Sequence, residues 1–198
     1  MLESLSISSY VAESSDYGRE NASSADNQQE RLVSQGWVIG FVDGEGCFSL
    51  GLVGQPDRPG RKGYVTGYQV FHEFAVTQGA KSLQALEALR QFFGVGKVYG
   101  NRRHDNHRED VFRYVVRKRS DLLSVIIPFF KANPLRTSKR SDFELFAEAV
   151  KRMEDGRHRT PRGLIEILEL ASRMNRQKPR TDLIRILRDQ TPDTRDTG

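Results

Sequence analysis

Asp43 and Glu45 stand two residues apart in Val38-Ile39-Gly40-Phe41-Val42-Asp43-Gly44-Glu45-Gly46, at the end of a run in which Gly36, Gly40 and Gly44 recur every four residues. Residues four apart share one face of a helix, so the three glycines leave that face bare. Each costs roughly 1 kcal/mol relative to alanine in a helix interior, which asks for a compensating contact. A face without side chains lets another backbone approach closely. No other helical stretch of the chain shows a matching face, so the expected partner is the same helix in a second copy, packed across a two-fold axis as a homodimer. Two such helices would bring Asp43 and Glu45 of both copies to one place. Carboxylates gathered at helix C-termini, where the macrodipole is also negative, repel unless a cation lies between them. A hard divalent ion, Mg2+ or another such as Mn2+ or Ca2+, suits a site with few protein ligands when phosphate oxygens and water complete its shell. A buried helix with glycines for local packing, ending in an ordinary Asp-Gly-Glu-Gly turn, explains the same residues without a metal.

The elements that must position these acids follow from periodicity. Val33, Trp37, Gly40 and Phe41 predict a helix from Arg31 that stops near Gly44-Glu45-Gly46. Phe48, Leu50 and Leu52 alternate with Ser49, Gly51 and Val53, the two-residue period of a strand with one packed face. After the loop Gly54 to Gly60, a long strand is expected from Tyr64 to Gln78, with Val70, Phe74 and Val76 on one face and Gln69, Phe71, Glu73 and Ala75 on the other. Lys81 to Phe93 predicts a helix closed by Gly94-Val95-Gly96. Strands over Lys97–Arg103 and Asp110–Arg117 would be joined by the polar tip His104 to Glu109. Asp121–Phe130, with Pro128 near its end, Ser138–Met153 and Gly163–Met174 predict three more helices. The order α-β-β-α-β-β-α-α-α describes an α+β domain whose hairpins are covered by helices.

Residues 1–29 hold eight serines, scattered apolar side chains and a net negative charge, so they are expected to form a disordered acidic tail. Residues 30–175 make the folded domain and 176–198 a basic extension. Residues 31–198 carry thirty bases against twenty acids, a net +10, and a body this basic attracts polyanions, nucleic acid first among them. Apolar runs are far shorter than the ~20 residues that span a bilayer, so no membrane role is expected. The single Cys47 excludes an internal disulfide and any cysteine-pair zinc site. With no secretory or transit pattern at the start, the expected setting is cytoplasm, nucleoid or organellar matrix.

The segment Val38 to Gly46 resembles the LAGLIDADG motif of homing endonucleases. The resemblance continues through Phe74-Ala75-Val76-Thr77-Gln78, a helix and Gly94-Val95-Gly96, then Pro134-Leu135-Arg136-Thr137-Ser138-Lys139 ahead of a Phe-rich helix. It implies a LAGLIDADG-type αββαββα domain with an antiparallel, saddle-shaped sheet and additional C-terminal helices. It further implies that Glu45, with the Gly44 carbonyl, binds the catalytic metal and that Asp43 is mainly structural. Gln78 is implied as the strand-end glutamine and Lys139 as the base that stabilises phosphate. Lys81 lies near a second basic position of the family, where the alignment places either Lys81 or Ser82. One motif per chain implies a homodimer and a near-palindromic double-stranded DNA target.

Phosphodiester hydrolysis needs an activated water, neutralised charge on the phosphate and support for the leaving oxygen, all of which metals held by two Glu45 side chains would supply. The sheet face opposite Phe48 and Phe74 would lie in the major groove, with Ser49, Gly51, Gln69, Glu73, Tyr99, Asn101, Arg103 and Arg113 as candidate base contacts. Arg58, Arg61 and Lys62 would touch phosphates. An ordinary solvated sheet face would carry the same residues. His104-Asp105-Asn106-His107 suggests an HNH-type nuclease or metal clip at first sight, but two loop histidines lack a third ligand and any orienting partner. A non-cleaving nucleic-acid binder, such as an intron-splicing maturase or a regulator, is the alternative on the same fold.

Overall fold

A computed structural model describes residues 13–55, 59–60, 62–64, 66–101, 110–174 and 184–185, with the backbone alone for 13–25 and 101. The chain divides into two compact units, Met1–Gly40 and Phe41–Gly198, and helix α1 (Glu13–Glu45) runs through the boundary. The other elements are β1 (Gly46–Gly54), β2 (Tyr68–Gly79), α2 (Leu83–Phe93), β3 (Lys97–Asn101), β4 (Val111–Val116), α3 (Arg119–Asp121), α4 (Ile127–Ala132), α5 (Lys139–Glu154) and α6 (Pro161–Arg173).

The four strands form one open antiparallel sheet in the order β1-β2-β4-β3. Its register sorts side chains by the two-residue period. Phe48 pairs with Phe74, which pairs in turn with Val116, and Phe48, Leu50, Val70, Phe74, Val76, Tyr114 and Val116 are buried on one face. Helices α2, α5 and α6 pack against the strands. The centre of the core is aromatic: the Phe48 ring lies 5.1 Å from Phe74, 5.3 Å from Phe143 and 5.4 Å from Phe146, and Phe74 lies 5.8 Å from Phe130. Such rings bury large apolar areas and favour offset or edge-on contacts at these spacings.

The long second strand starts at Tyr68 rather than Tyr64, and two helices differ from the sequence expectation. The first is α1, which begins at Glu13 rather than Arg31, so part of the expected disordered tail is helical. Residues 26–33 are all exposed. The extra turns gain no burial there; a helix nucleated elsewhere propagates at small cost through a stretch without proline. Residues 1–12, most of the 176–198 extension and the 104–109 tip lie outside the described residues. The second is the expected helix over Asp121–Phe130, which is interrupted by a π-helical turn, Leu122–Ile126, between α3 and α4. Pro128 falls in the first turn of α4, not near a helix end. A proline ring clashes with the carbonyl four residues before it and donates no hydrogen bond, and a wider turn upstream relieves both problems.

His72, opposite Leu50 on the helix-covered face, is half-buried, and neither ring nitrogen makes a hydrogen bond of ordinary geometry among the described residues. Burial lowers its pKa below the ordinary value, and the positive charges of Arg119 and His158 lower it further. His158 is lowered by burial first, then by Arg119 and Arg159. Both folded-state values lie below the unfolded value of about 6.5, so the fold prefers the neutral rings and binds fewer protons than the unfolded chain. The stability they contribute is present above about pH 6.5 and is lost as pH falls through the depressed folded-state values. Melting temperature should therefore drop between pH 7.5 and 5 in the wild type, with a shallower fall in His72→Leu; parallel curves for the two proteins would refute the assignment.

Candidate active site

Helix α1 passes into β1 with no connecting loop, and Gly46 makes that turn possible. A Cβ on Gly46 would lie 2.6 Å from Val42 Cγ1 and 2.7 Å from Val42 O, closer than real side chains come. Glu45 consequently occupies the last helical position, exposed. Gly46 pairs with Val76, two residues before Gln78, so the helix end and the far end of β2 adjoin. Gln78 is half-buried and shares the parity of Phe74 and Val76, the helix-covered side of the strand.

The turn before α5 is tied to the end of α1 by two crossed interactions. The Asp43 carboxylate accepts hydrogen bonds from Arg136 N at 2.8 Å, Thr137 N at 3.2 Å and Thr137 Oγ1 at 2.6 Å. Thr137 Oγ1 accepts from Lys139 N at 3.3 Å, satisfying a free donor at the start of α5. Lys139 Nζ in turn donates to Val42 O at 3.1 Å and Gly44 O at 3.0 Å. An ammonium thus meets the C-terminal end of α1 and a carboxylate meets the approach to α5, the arrangement both helix dipoles favour. Burial acts to raise the Asp43 pKa, but the bonds from Thr137 and the Arg136 and Thr137 amides, with the Lys139 charge, outweigh it and hold the carboxyl below its ordinary value.

These contacts bear on the expected metal ligands. Val42 O and Gly44 O already seat a cationic group, and Glu45 is exposed beside them, so the hard oxygen donors at the end of α1 fit a divalent ion. Gly44 O keeps a second lone pair after accepting from Lys139, and the ammonium keeps one N–H. Among the described residues no three His, Cys, Asp or Glu groups cluster as a metal site. The described residues thus offer one exposed carboxylate and one carbonyl at the end of α1.

Among the described residues, a Cβ built on Gly36, Gly40 or Gly44 meets nothing within 4 Å, and on the same helix Val33 is 66% and Trp37 42% exposed.

On the sheet, the register sets Ser49 opposite Glu73, Gly51 opposite Phe71 and Val53 opposite Gln69, with Arg113 between Thr77 and Tyr99. The expected base-contact residues of β1, β2, β3 and β4 therefore share the face opposite the aromatic core. Gln69 and Tyr99 are exposed. Glu73 departs from the expectation of a direct base contact: it is 3% exposed, and its carboxylate is taken by Arg113 Nη2 at 2.6 Å and Arg117 Nε at 2.9 Å. Two guanidinium groups cover it, and no oxygen is left projecting. Arg117 itself was not among the expected residues, although it has the parity of Arg113 one step past β4; Thr137 was likewise missed, although a threonine just before a helix is an ordinary capping signal. Lys62 and Lys81 are exposed. Arg58, Arg61, Arg103 and the Asn101 side chain lie outside the described residues.

A helix ending in an acid on a sheet-and-helix domain of this order defines a class, and comparison with known proteins gives the same one. The family model for LAGLIDADG endonuclease matches residues 38–150, more than half of the chain, and the chain belongs to that family. It is 35% identical over 126 residues to an uncharacterized 50.9 kDa protein in ND4 intron 1 of Podospora anserina, covering 63% of this chain and 25% of that protein. It spans about a quarter of the length of several such curated relatives. Among solved structures, the homing endonuclease I-TnaI is similar at 40% identity and a TM-score of 0.64, covering 79% of this chain and 96% of that one. I-SmaMI, bound to an uncleaved DNA target in the presence of calcium ions, is 31% identical with a TM-score of 0.65, covering 76% of this chain and 47% of that one.

Asp43→Ala removes three hydrogen bonds that hold the start of α5 against α1. Loss of such caps costs about 1–2 kcal/mol, which chemical denaturation would register as a lower midpoint at unchanged slope; an unchanged midpoint would show that the tie contributes nothing.

Proposed function

We propose that this protein is a homing-type, site-specific DNA endonuclease that acts as a homodimer on a long, near-palindromic double-stranded target with a divalent metal, Mg2+ being the natural candidate. One observation carries the proposal: the helix whose glycine face is bare is the same helix that ends in an exposed Glu45 beside two cation-seating carbonyls. Bringing two such faces together places two Glu45 carboxylates side by side, completing from a second copy what one chain lacks. Family membership and the DNA and calcium in the I-SmaMI structure support the same reading. The intron-encoded relatives support an intron origin and an organellar or nucleoid setting.

Glu45 and Gly44 O would hold the ion, whose chemistry is to activate water and neutralise charge on the scissile phosphate. Lys139, fixed by Val42 O and Gly44 O, directs its remaining N–H toward a phosphate oxygen, and its charge opposes the negative charge that develops there. Gln78, half-buried at the end of β2 nearest the motif and on the helix-covered side, orients water rather than a base-pair edge. No protein nucleophile is required. The open sheet face, with Ser49, Gly51, Gln69, Tyr99 and Arg113, enters the major groove, and the exposed Lys62 and Lys81 meet phosphates, giving affinity that weakens with salt.

The test is selection of cut and bound sites from a randomised double-stranded DNA library, with and without Mg2+. Glu45→Gln should abolish Mg2+-dependent cleavage while retaining binding to the selected sites. Cleavage by the variant at the wild-type rate would reject the role of Glu45. Enrichment of bound but never of cut sites by the wild type would replace the nuclease with a non-cleaving binder.

A further inference from the structure

Glu73 is the one nearly inaccessible charged side chain among the described residues, and it lies on the open face of the sheet rather than in the aromatic core. A carboxylate removed from water is strongly disfavoured unless its oxygens are paired, and both are: Oε1 accepts from Arg113 Nη2 and Oε2 from Arg117 Nε. The arginine side chains remain 38% and 55% exposed. Arg117 is braced a second time, with its guanidinium 5.8 Å from the centre of the Phe71 ring. Strand pairing sets Arg113 on inner strand β4, across from Thr77 on β2 and Tyr99 on β3.

A guanidinium carries five N–H donors. After donating one Nη2–H to Glu73, Arg113 keeps the second Nη2–H with its Nε–H and Nη1–H donors, so a two-donor edge that includes Nη2 remains, and a free arginine on a surface would lose much rotamer freedom on contacting a ligand. Glu73 removes that freedom beforehand. The acceptor pair matched by such a fixed donor group in a major groove is the O6 and N7 edge of guanine. Resting on the nuclease reading above, we propose that Glu73 is a specificity-determining positioning residue. It does not touch DNA; it fixes Arg113 for a guanine in each half-site, and holds Arg117 beside it. A neutral residue at 73 would leave Arg113 free to swing, and a carboxylate one methylene shorter would displace it.

The experiment selects binding sites from a randomised double-stranded DNA library with the full chain as wild type, Glu73→Gln, Glu73→Asp, Arg113→Met and the Glu73→Gln/Arg113→Met pair, each also melted. The wild type should prefer guanine over other bases by about tenfold at one position of each half-site. Arg113→Met should abolish that preference. Both Glu73 variants should weaken it at the same position while the rest of the profile stays, and the double variant should be no worse than Arg113→Met alone. A wild-type profile in both Glu73 variants would overturn the proposal. So would uniform loss of preference at every position together with a lower melting temperature, which marks a merely structural role. A preference that survives Arg113→Met but not Glu73→Gln would mean that Glu73 reads the base itself, and would also overturn it. A wild type that enriches no sequence would instead sink the DNA-recognition reading on which the proposal stands.

Discussion

Helix α1 has to do two things that conflict. On the dimeric reading proposed above, it must stay bare enough along one face for another backbone to lie against it, and it must end in an acid held at a fixed place. Glycines meet the first demand and weaken the helix that has to meet the second. The crossed contacts at its end answer that weakness: Lys139 takes the carbonyls of Val42 and Gly44, while Asp43 takes the amides that lead into α5. Each helix terminus thereby receives the charge its dipole prefers. The immediate turn into β1 at Gly46 completes the anchoring, because Glu45 is then fixed between a capped helix and the first hydrogen-bonded pair of a sheet.

The sheet divides the remaining work between its faces. One carries Phe48, Phe74 and Tyr114 into an aromatic core under the helices, which supplies the burial that a chain of this size needs. The other carries hydroxyl, amide and guanidinium groups, and its buried Glu73 is saturated by arginines instead of being left for a ligand. A rigid scaffold beneath and an ordered polar layer above are what precise contact with a nucleic acid demands, since side chains ordered in advance lose less entropy on binding. The Asp43 and Glu73 carboxylates serve in the same way: each holds other groups in place, and Glu45 alone of the three is presented to the outside.

Much of this was legible in residues. Element order followed from period-two and helical spacing, and the face assignment of Ser49, Gly51, Gln69, Tyr99 and Arg113 followed from strand parity, which the observed register reproduces. What escaped was of two kinds. Hydrogen bonds between residues more than ninety positions apart, such as Asp43 to Arg136, leave no local pattern; nor does the choice of Glu73 between contacting DNA and pairing with Arg113, because parity tells which face a side chain occupies and not what meets it there. Backbone irregularities escaped for another reason. The π turn over Leu122–Ile126 keeps Leu122 and Ile126 buried, so the apolar spacing still looks like one helix, and in the added part of α1 residues 26–30 are exposed and carry no burial signal.

The central claim, that two copies join along the bare face of α1, can be measured through a residue the chain already supplies. Cys47 is the single cysteine of the sequence, is exposed, and lies two residues beyond Glu45. Spin labels attached there report the distance between copies by pulsed dipolar spectroscopy. Helices in contact have axes about 8–10 Å apart, so labels beside their adjoining ends should give a narrow distribution on the order of 20 Å. A distribution centred beyond about 40 Å, or no dipolar coupling at concentrations where the protein binds DNA, would contradict the account.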